Sequence, residues 1–179
     1  MKIDLKGFSE KFYQETCTGE RKQVLNTLTT LKNMGIWFQI VMLVIPTLND
    51  SEKDFKEMCV WIKENLGVDV PVHFTRFHPT YKMKDLPPTS VKTLEMARKA
   101  ALDTRLRFPY VANVPGHEGE NTYCPHCQNI VIRRAGLSIR ENRLKDNTFK
   151  DGNQSIQGYG LKGVDGFASF NPPYMLLTV

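Results

Sequence analysis

Four short runs of branched and aromatic residues alternate with three amphipathic stripes over residues 1–115, and this alternation constrains the fold more than any other feature of the chain. Residues 1–6 are a strand candidate. Residues 20–34 carry Val24, Leu25, Leu28, Leu31 and Met34 on one helical face, and Gly35 stands where a helix stops. Residues 36–45 are almost continuously apolar, which predicts a strand buried on both faces, as in a parallel sheet. Ser51 with Asp54 is a weaker form of the capping box, and Phe55, Met58, Cys59, Ile62 and Leu66 make the next stripe before Gly67. Residues 70–77 form a third strand. A third helix starts at residues 87–90 and carries Leu94, Ala97, Ala101 and Leu102. Residues 108–114 are a fourth strand whose first half Pro109 weakens. The order β-α-β-α-β-α-β predicts an α/β fold with right-handed parallel crossovers. Three such units are too few for a closed eight-fold barrel, so the expectation is a small open sheet or part of a larger barrel.

The texture changes after Pro115, where Gly, Asn, Cys and Arg dominate, and a boundary is expected near residues 115–122. Residues 151–173 read as a loose tail. A hydrophobic share of 41% with 24% charged residues excludes a disordered chain, a collagen-like repeat and a disulfide-dense miniprotein. The net charge of +5 is spread along the chain, so no nucleic-acid footprint is expected. The N-terminus has no apolar signal region. The longest apolar run, residues 36–46, is too short to span a bilayer, so no membrane partner is expected. Four scattered cysteines fit a reducing compartment, and the reading is a soluble cytoplasmic protein.

In parallel α/β folds functional groups collect at the carboxyl edge of the sheet. Here that edge holds Asp4 and Lys6, residues 46–50, Arg76 and His78, and residues 113–117. Alternation puts Asp4 and Lys6 on one side of a strand, where a carboxylate and an ammonium could grip a ribose diol and a carboxylate. The competing reading is an exposed ion pair at a strand end. His73, Thr75 and Phe77 share one face of the third strand, and Val72, Phe74, Arg76 and His78 the other. His73 reads as a satisfied, partly buried histidine. His78 is either the same or a donor to a bound ligand. Cys124 and Cys127 form a Cys-x-x-Cys knuckle, half of a tetrahedral zinc site. His117, His126 and Asp146 are the remaining ligand candidates, and a redox dithiol or two plain thiols are the alternatives. Arg133 and Arg134 read as a surface pair, and Trp37 and Trp61 as core.

The segments Asp4-Leu5-Lys6-Gly7-Phe8-Ser9-Glu10, Ile45-Pro46-Thr47-Leu48-Asn49-Asp50-Ser51, His73-Phe74-Thr75-Arg76-Phe77-His78-Pro79-Thr80-Tyr81 and Asn113-Val114-Pro115-Gly116-His117-Glu118-Gly119 occur in an order that resembles the AmmeMemoRadiSam-system radical SAM enzymes, a group related to the pyruvate formate-lyase activating enzyme. The resemblance runs from residue 1 to about residue 158. It implies a partial (β/α)6 barrel that binds a 4Fe-4S cluster and S-adenosylmethionine and generates a 5′-deoxyadenosyl radical. It also implies that Asp4, Lys6 and His78 are cofactor-binding positions touching the ribose and methionine portions of S-adenosylmethionine.

Two departures accompany the match. The family's Cys-x-x-x-Cys-x-x-Cys cluster loop is absent, so the chain resembles the C-terminal half of the barrel, starting at its fourth strand, and is not expected to generate a radical alone. The family's zinc-ribbon-like tail has a second Cys-x-x-Cys pair, and here Phe149 and Gly152 stand in its place. The expected layout is therefore a half-barrel over residues 1–116, a degenerate zinc-ribbon-like segment over 117–158 and a tail over 159–179. The expected function is that of a radical SAM fragment completed by an N-terminal cluster-bearing half or partner chain. The alternatives are a non-catalytic half-barrel binding module and, more weakly, a zinc-dependent interaction domain.

Overall fold

The computed structural model describes residues 1–136, 138–145, 148–149 and 154–155. Strands β1 (Lys2–Asp4), β2 (Gln39–Val44), β3 (Val72–Arg76) and β4 (Pro109–Ala112) form a parallel sheet in the order β1-β2-β3-β4. Helices α1 (Glu10–Glu15), α2 (Arg21–Asn33), α3 (Glu52–Asn65) and α4 (Val91–Asp103) lie in the crossovers. A parallel sheet whose strands follow in chain order never reverses direction of growth. With every crossover right-handed, all its helices fall on one face. The alternation of apolar runs and stripes therefore yields the predicted βαβαβαβ order.

Local chemistry explains the helix ends. Ser51 Oγ accepts the Asp54 N–H at 3.1 Å and donates to its carboxylate at 2.8 Å, the weak box foreseen at α3. Ser90 caps α4 through the Thr93 N–H, and Gly35 ends α2 with φ 68°. Helix α1 escapes periodicity because six residues give fewer than two turns, yet it buries Phe12 and Tyr13.

Register separates the two faces of the sheet. Ile40, Met42 and Val44 of β2 and Val72 and Phe74 of β3 are 0–1% exposed and pack under the helices with Phe55, Met58, Ile62 and Leu94. On the other face Gln39 is buried but Val41 and Leu43 are only half-buried, so the expected burial of residues 36–45 on both sides is corrected: among the described residues the helices lie on the opposite face. Leu102 is also corrected. It is 42% exposed at the end of α4, outside the buried stripe of Leu94, Ala97 and Ala101.

The two edges of the sheet differ. A 3-10 turn, Glu118–Glu120, packs against β4, and a Cβ on Gly119 would come within 2.9 Å of Val111 Cγ2. Strand β1 pairs with β2 alone among the described residues, leaving its other edge unpaired.

Beyond Pro115 the chain forms strands that the sequence pattern did not reveal. β5 (Thr122–Tyr123), β6 (Ile130–Ala135) and β7 (Ser138–Asn142) make an antiparallel sheet. It packs on the N-terminal end of β4 through Phe108, Tyr110, Cys124, Val131 and Ile132, with Trp37 against them. A third antiparallel group joins β8 (Leu144–Lys145), β9 (Thr148–Phe149) and β10 (Gln154–Ser155). Phe149 lies in β9; position 152 and the tail over 159–179 lie outside the described residues. Among the described residues no helix is long and apolar enough to cross a membrane.

Candidate functional site

The carboxyl edge of the parallel sheet is where the sequence placed its candidates, and the structure brings two of them together. Lys6 Nζ lies 3.2 Å from Asp4 Oδ2, with both side chains just over a third exposed. His78 stands exposed in the loop after β3 on the same edge and has no hydrogen bond or ion pair to either among the described residues. Three of the four loops on this edge carry a non-glycine residue in the left-handed region: Thr47 (φ 68°), Tyr81 (φ 49°) and Asn113 (φ 63°). Asn tolerates that conformation, but a β-branched or aromatic residue holds it at a cost, and such strain gathers where loops serve a site.

The loop bearing His78 is held from beneath. Thr89 is fully buried; its hydroxyl donates to Val44 C=O at 2.5 Å and accepts the Phe77 N–H at 2.8 Å. Its backbone carbonyl accepts from Arg76 Nε at 2.9 Å. One threonine thus ties the ends of β2 and β3 to the start of α4.

The helix-free face carries a polar belt that sequence reasoning missed. Register places Asp4, Val41, His73 and Tyr110 in one row across the four strands. His73 Nε2 donates to Gln39 Oε1 at 2.8 Å, and its ring stacks on Tyr110 at 4.8 Å between centroids. Tyr110 Oη meets Thr122 Oγ1 at 3.0 Å, and Arg134 reaches the same hydroxyl at 2.7 Å while its guanidinium sits 5.7 Å from the Tyr110 ring centre. Arg134 is therefore not the surface residue its sequence context implied. A bulge between Arg133 and Arg134 turns it onto the sheet. The one available signal was Gln39, a lone amide interrupting an apolar strand.

Burial, with the positive charges of Arg134 and Lys2 nearby, pushes His73 from 6.5 down to about 3. The native ring is neutral, whereas the unfolded chain protonates near 6.5. The stability this contributes is complete above that pH and is lost as pH falls toward 3, by about 2 kcal/mol at pH 5. Urea melts of the wild type and His73→Phe at pH 8 and pH 5 test this. The wild type should lose about 2 kcal/mol more than the variant on acidification. Equal losses would mean that the ring is not held neutral.

The knuckle is formed but short of ligands. Cys124 is buried and Cys127 exposed, with Gln128 left-handed at φ 59°. Burial opposes ionisation of Cys124, but the backbone N–H groups of Cys127 and His126 and the Cys127 thiol outweigh it and hold the thiol below its ordinary value. Among the described residues no three His, Cys, Asp or Glu side chains are placed to hold a metal. His117 is engaged elsewhere: its Nδ1 accepts the Gly119 N–H at 2.9 Å and its Nε2 lies 3.4 Å from Glu95. His126 is exposed, and Asp146 lies outside the described residues. A zinc ion at Cys124 and Cys127, one of the readings left open by the sequence, therefore finds no third ligand among the described residues.

Comparison with solved structures finds a domain of a pyruvate-formate lyase-activating enzyme from Bacteroides vulgatus, matched over 63% of this chain and 66% of that one with a TM-score of 0.55 at 16% identity. The likeness is one of fold. A radical SAM methyltransferase from Sphaerobacter thermophilus matches 66% of this chain and 36% of its own at 12% identity, and its TM-score of 0.46 is too low to carry an argument. No protein-family model matches the chain. Uncharacterized protein MJ0808 of Methanocaldococcus jannaschii is 45% identical over 134 residues, which are 75% of this chain. The chain spans 40% of the length of that relative.

Proposed function

We propose that this chain is one half of a radical SAM enzyme, supplying part of an S-adenosylmethionine site and needing a cluster-bearing half from another segment or partner chain. The observation that carries the reading is the Asp4–Lys6 pair, set at 3.2 Å on the carboxyl edge of a one-sided, sequentially ordered parallel sheet. The fold shared with an activating-enzyme domain supports it. Asp4 would accept from the ribose hydroxyls, Lys6 would meet the ligand's carboxylate, and His78 on the same edge would donate to it. A ribose diol and a carboxylate are the groups that a nucleoside bearing an amino acid presents.

The residues of this chain do not fit a 4Fe-4S cluster. Cys17 is half-buried past α1, Cys59 is wholly buried in α3 with its thiol pushed up to about 12 by burial, and Cys124 and Cys127 share the knuckle. That dispersal of thiols favours a second reading, a half-barrel that binds S-adenosylmethionine without catalysis and needs no second chain.

Both readings place S-adenosylmethionine on the same rim, so its titration into the isotope-labelled chain, followed by amide shifts, tests them together. Saturable shifts at residues 4–6 and around His78, with Kd near or below about 1 mM, are expected. Asp4→Asn should weaken binding roughly fivefold or more, the loss of a charge-assisted contact. Shifts that never saturate, or that fall only away from this rim, would overturn the assignment.

A further inference from the structure

We infer that Tyr13 and Asn49 are positioning residues that clamp the Lys6 backbone and thereby preset the Asp4–Lys6 pair for its ligand. The identity of that ligand rests on the proposed function. The last ladder bond of β1 runs from the Leu5 N–H to Val41 C=O at 3.0 Å. Lys6 stands beyond it with no strand partner among the described residues, where a chain would ordinarily turn to water. Instead both its backbone groups are taken by buried side chains. The Lys6 N–H donates to Tyr13 Oη at 3.0 Å, and its carbonyl accepts from Asn49 Nδ2 at 2.6 Å. Tyr13 is 4% and Asn49 2% exposed.

Asn49 is itself immobilised. Its Nδ2 also donates to Leu43 C=O at 2.9 Å, and its Oδ1 accepts the Ile45 N–H at 2.6 Å, so the end of β2 is bolted to the end of β1. The tyrosine arrives from α1, and Gly7 lets the chain turn over it: a Cβ there would lie 2.9 Å from Phe12 Cδ1. Burial raises Tyr13 to about 12, so the phenol stays protonated and offers its lone pairs to the Lys6 N–H.

An ion pair as exposed as Asp4–Lys6 does not hold its own geometry. Such pairs contribute little, and their long side chains wander. Fixing the backbone on both sides shortens that search, which is what preorganisation of a binding group requires. Lys6 reads from sequence as the cationic half of a pair at a strand end. The fold makes it the supported end of a three-element joint.

Tyr13→Phe deletes one hydroxyl and leaves the ring in place. Two readouts test it: exchange of the Lys6 amide and the affinity for S-adenosylmethionine. The expected result is Lys6 exchange and ligand dissociation both faster or weaker by about 3–10-fold, the worth of one hydrogen bond, with Phe74 exchange unchanged. Asn49→Asp keeps the acceptor and removes both donations, and it should move the same readouts in the same direction. Tyr123→Phe, which removes a tyrosine hydroxyl bonded at 3.1 Å to Glu118 C=O, should move none of them. Unaltered Lys6 exchange in Tyr13→Phe overturns the clamp. Faster exchange with full affinity overturns the positioning role and leaves the binding assignment standing. If the wild type binds no S-adenosylmethionine, the proposed function fails separately. The clamp then stands or falls on Lys6 amide exchange in the variant alone.

Discussion

Phe74→Ala should remove about 3–5 kcal/mol of stability, a large share of the roughly 5–15 kcal/mol that holds a domain of this kind together. Phe74 is 0% exposed at the middle of β3, its ring edge-on to Phe55 at 5.9 Å between centroids. β3 pairs on both sides, and this residue joins the sheet to α3 at the centre of the larger core. The expected cost combines lost transfer free energy with a cavity that neighbours anchored on three strands cannot collapse into. Urea unfolding gives the number directly. Leu102→Ala, a truncation at a 42% exposed position, serves as the contrast and should cost well under about 1 kcal/mol. A Phe74→Ala loss below about 1.5 kcal/mol would mean that the helices do not pack on this face as described.

Thr89→Val should cost about 2–4 kcal/mol although it changes almost no volume. The hydroxyl serves the Val44 carbonyl and the Phe77 N–H, both away from water, and valine leaves them without it. Each buried group stranded in this way costs about 1–3 kcal/mol. The effect should also be local. The backbone of Thr89 holds Phe77 C=O at 3.2 Å and the Arg76 side chain at 2.9 Å, so the loop carrying His78 loses part of its footing. Thermal unfolding with limited proteolysis of residues 78–88 checks both parts. Thr89→Ser should recover most of the stability and the protection. If Thr89→Val is as stable and as resistant as the wild type, the hydroxyl is not the tie between β2, β3 and α4.

The sheet and its three main helices were legible because periodicity is a local property. Val24, Leu25, Leu28 and Leu31 mark one side of α2 whatever surrounds them, and Ser51 and Ser90 cap their helices through residues three positions on. His73 was read as a satisfied histidine, and it is one, bonded to Gln39. Asp4 and Lys6 could be paired on one face by counting alone. The strands after Pro115 were not legible, since β5 has two residues and β6 runs through Arg133 and Arg134, which break any apolar alternation. The burial of β2 on both faces was overstated, because a run of apolar residues records what a strand tolerates and not whether a layer exists to cover it.

What sequence alone decided here is the order in which strands and helices follow and which stripe of each main helix faces the core, because hydrophobic spacing and capping act within a few residues of each other. What only the tertiary structure decided is the joint at Lys6 and the belt across the helix-free face. Asn49 meets Lys6 from 43 positions away and His73 meets Gln39 from 34. Contacts that distant carry no periodic signal. They form because packing the helices on one face closes the intervening loops and leaves each buried amide and hydroxyl to find the partner that the fold brings within reach.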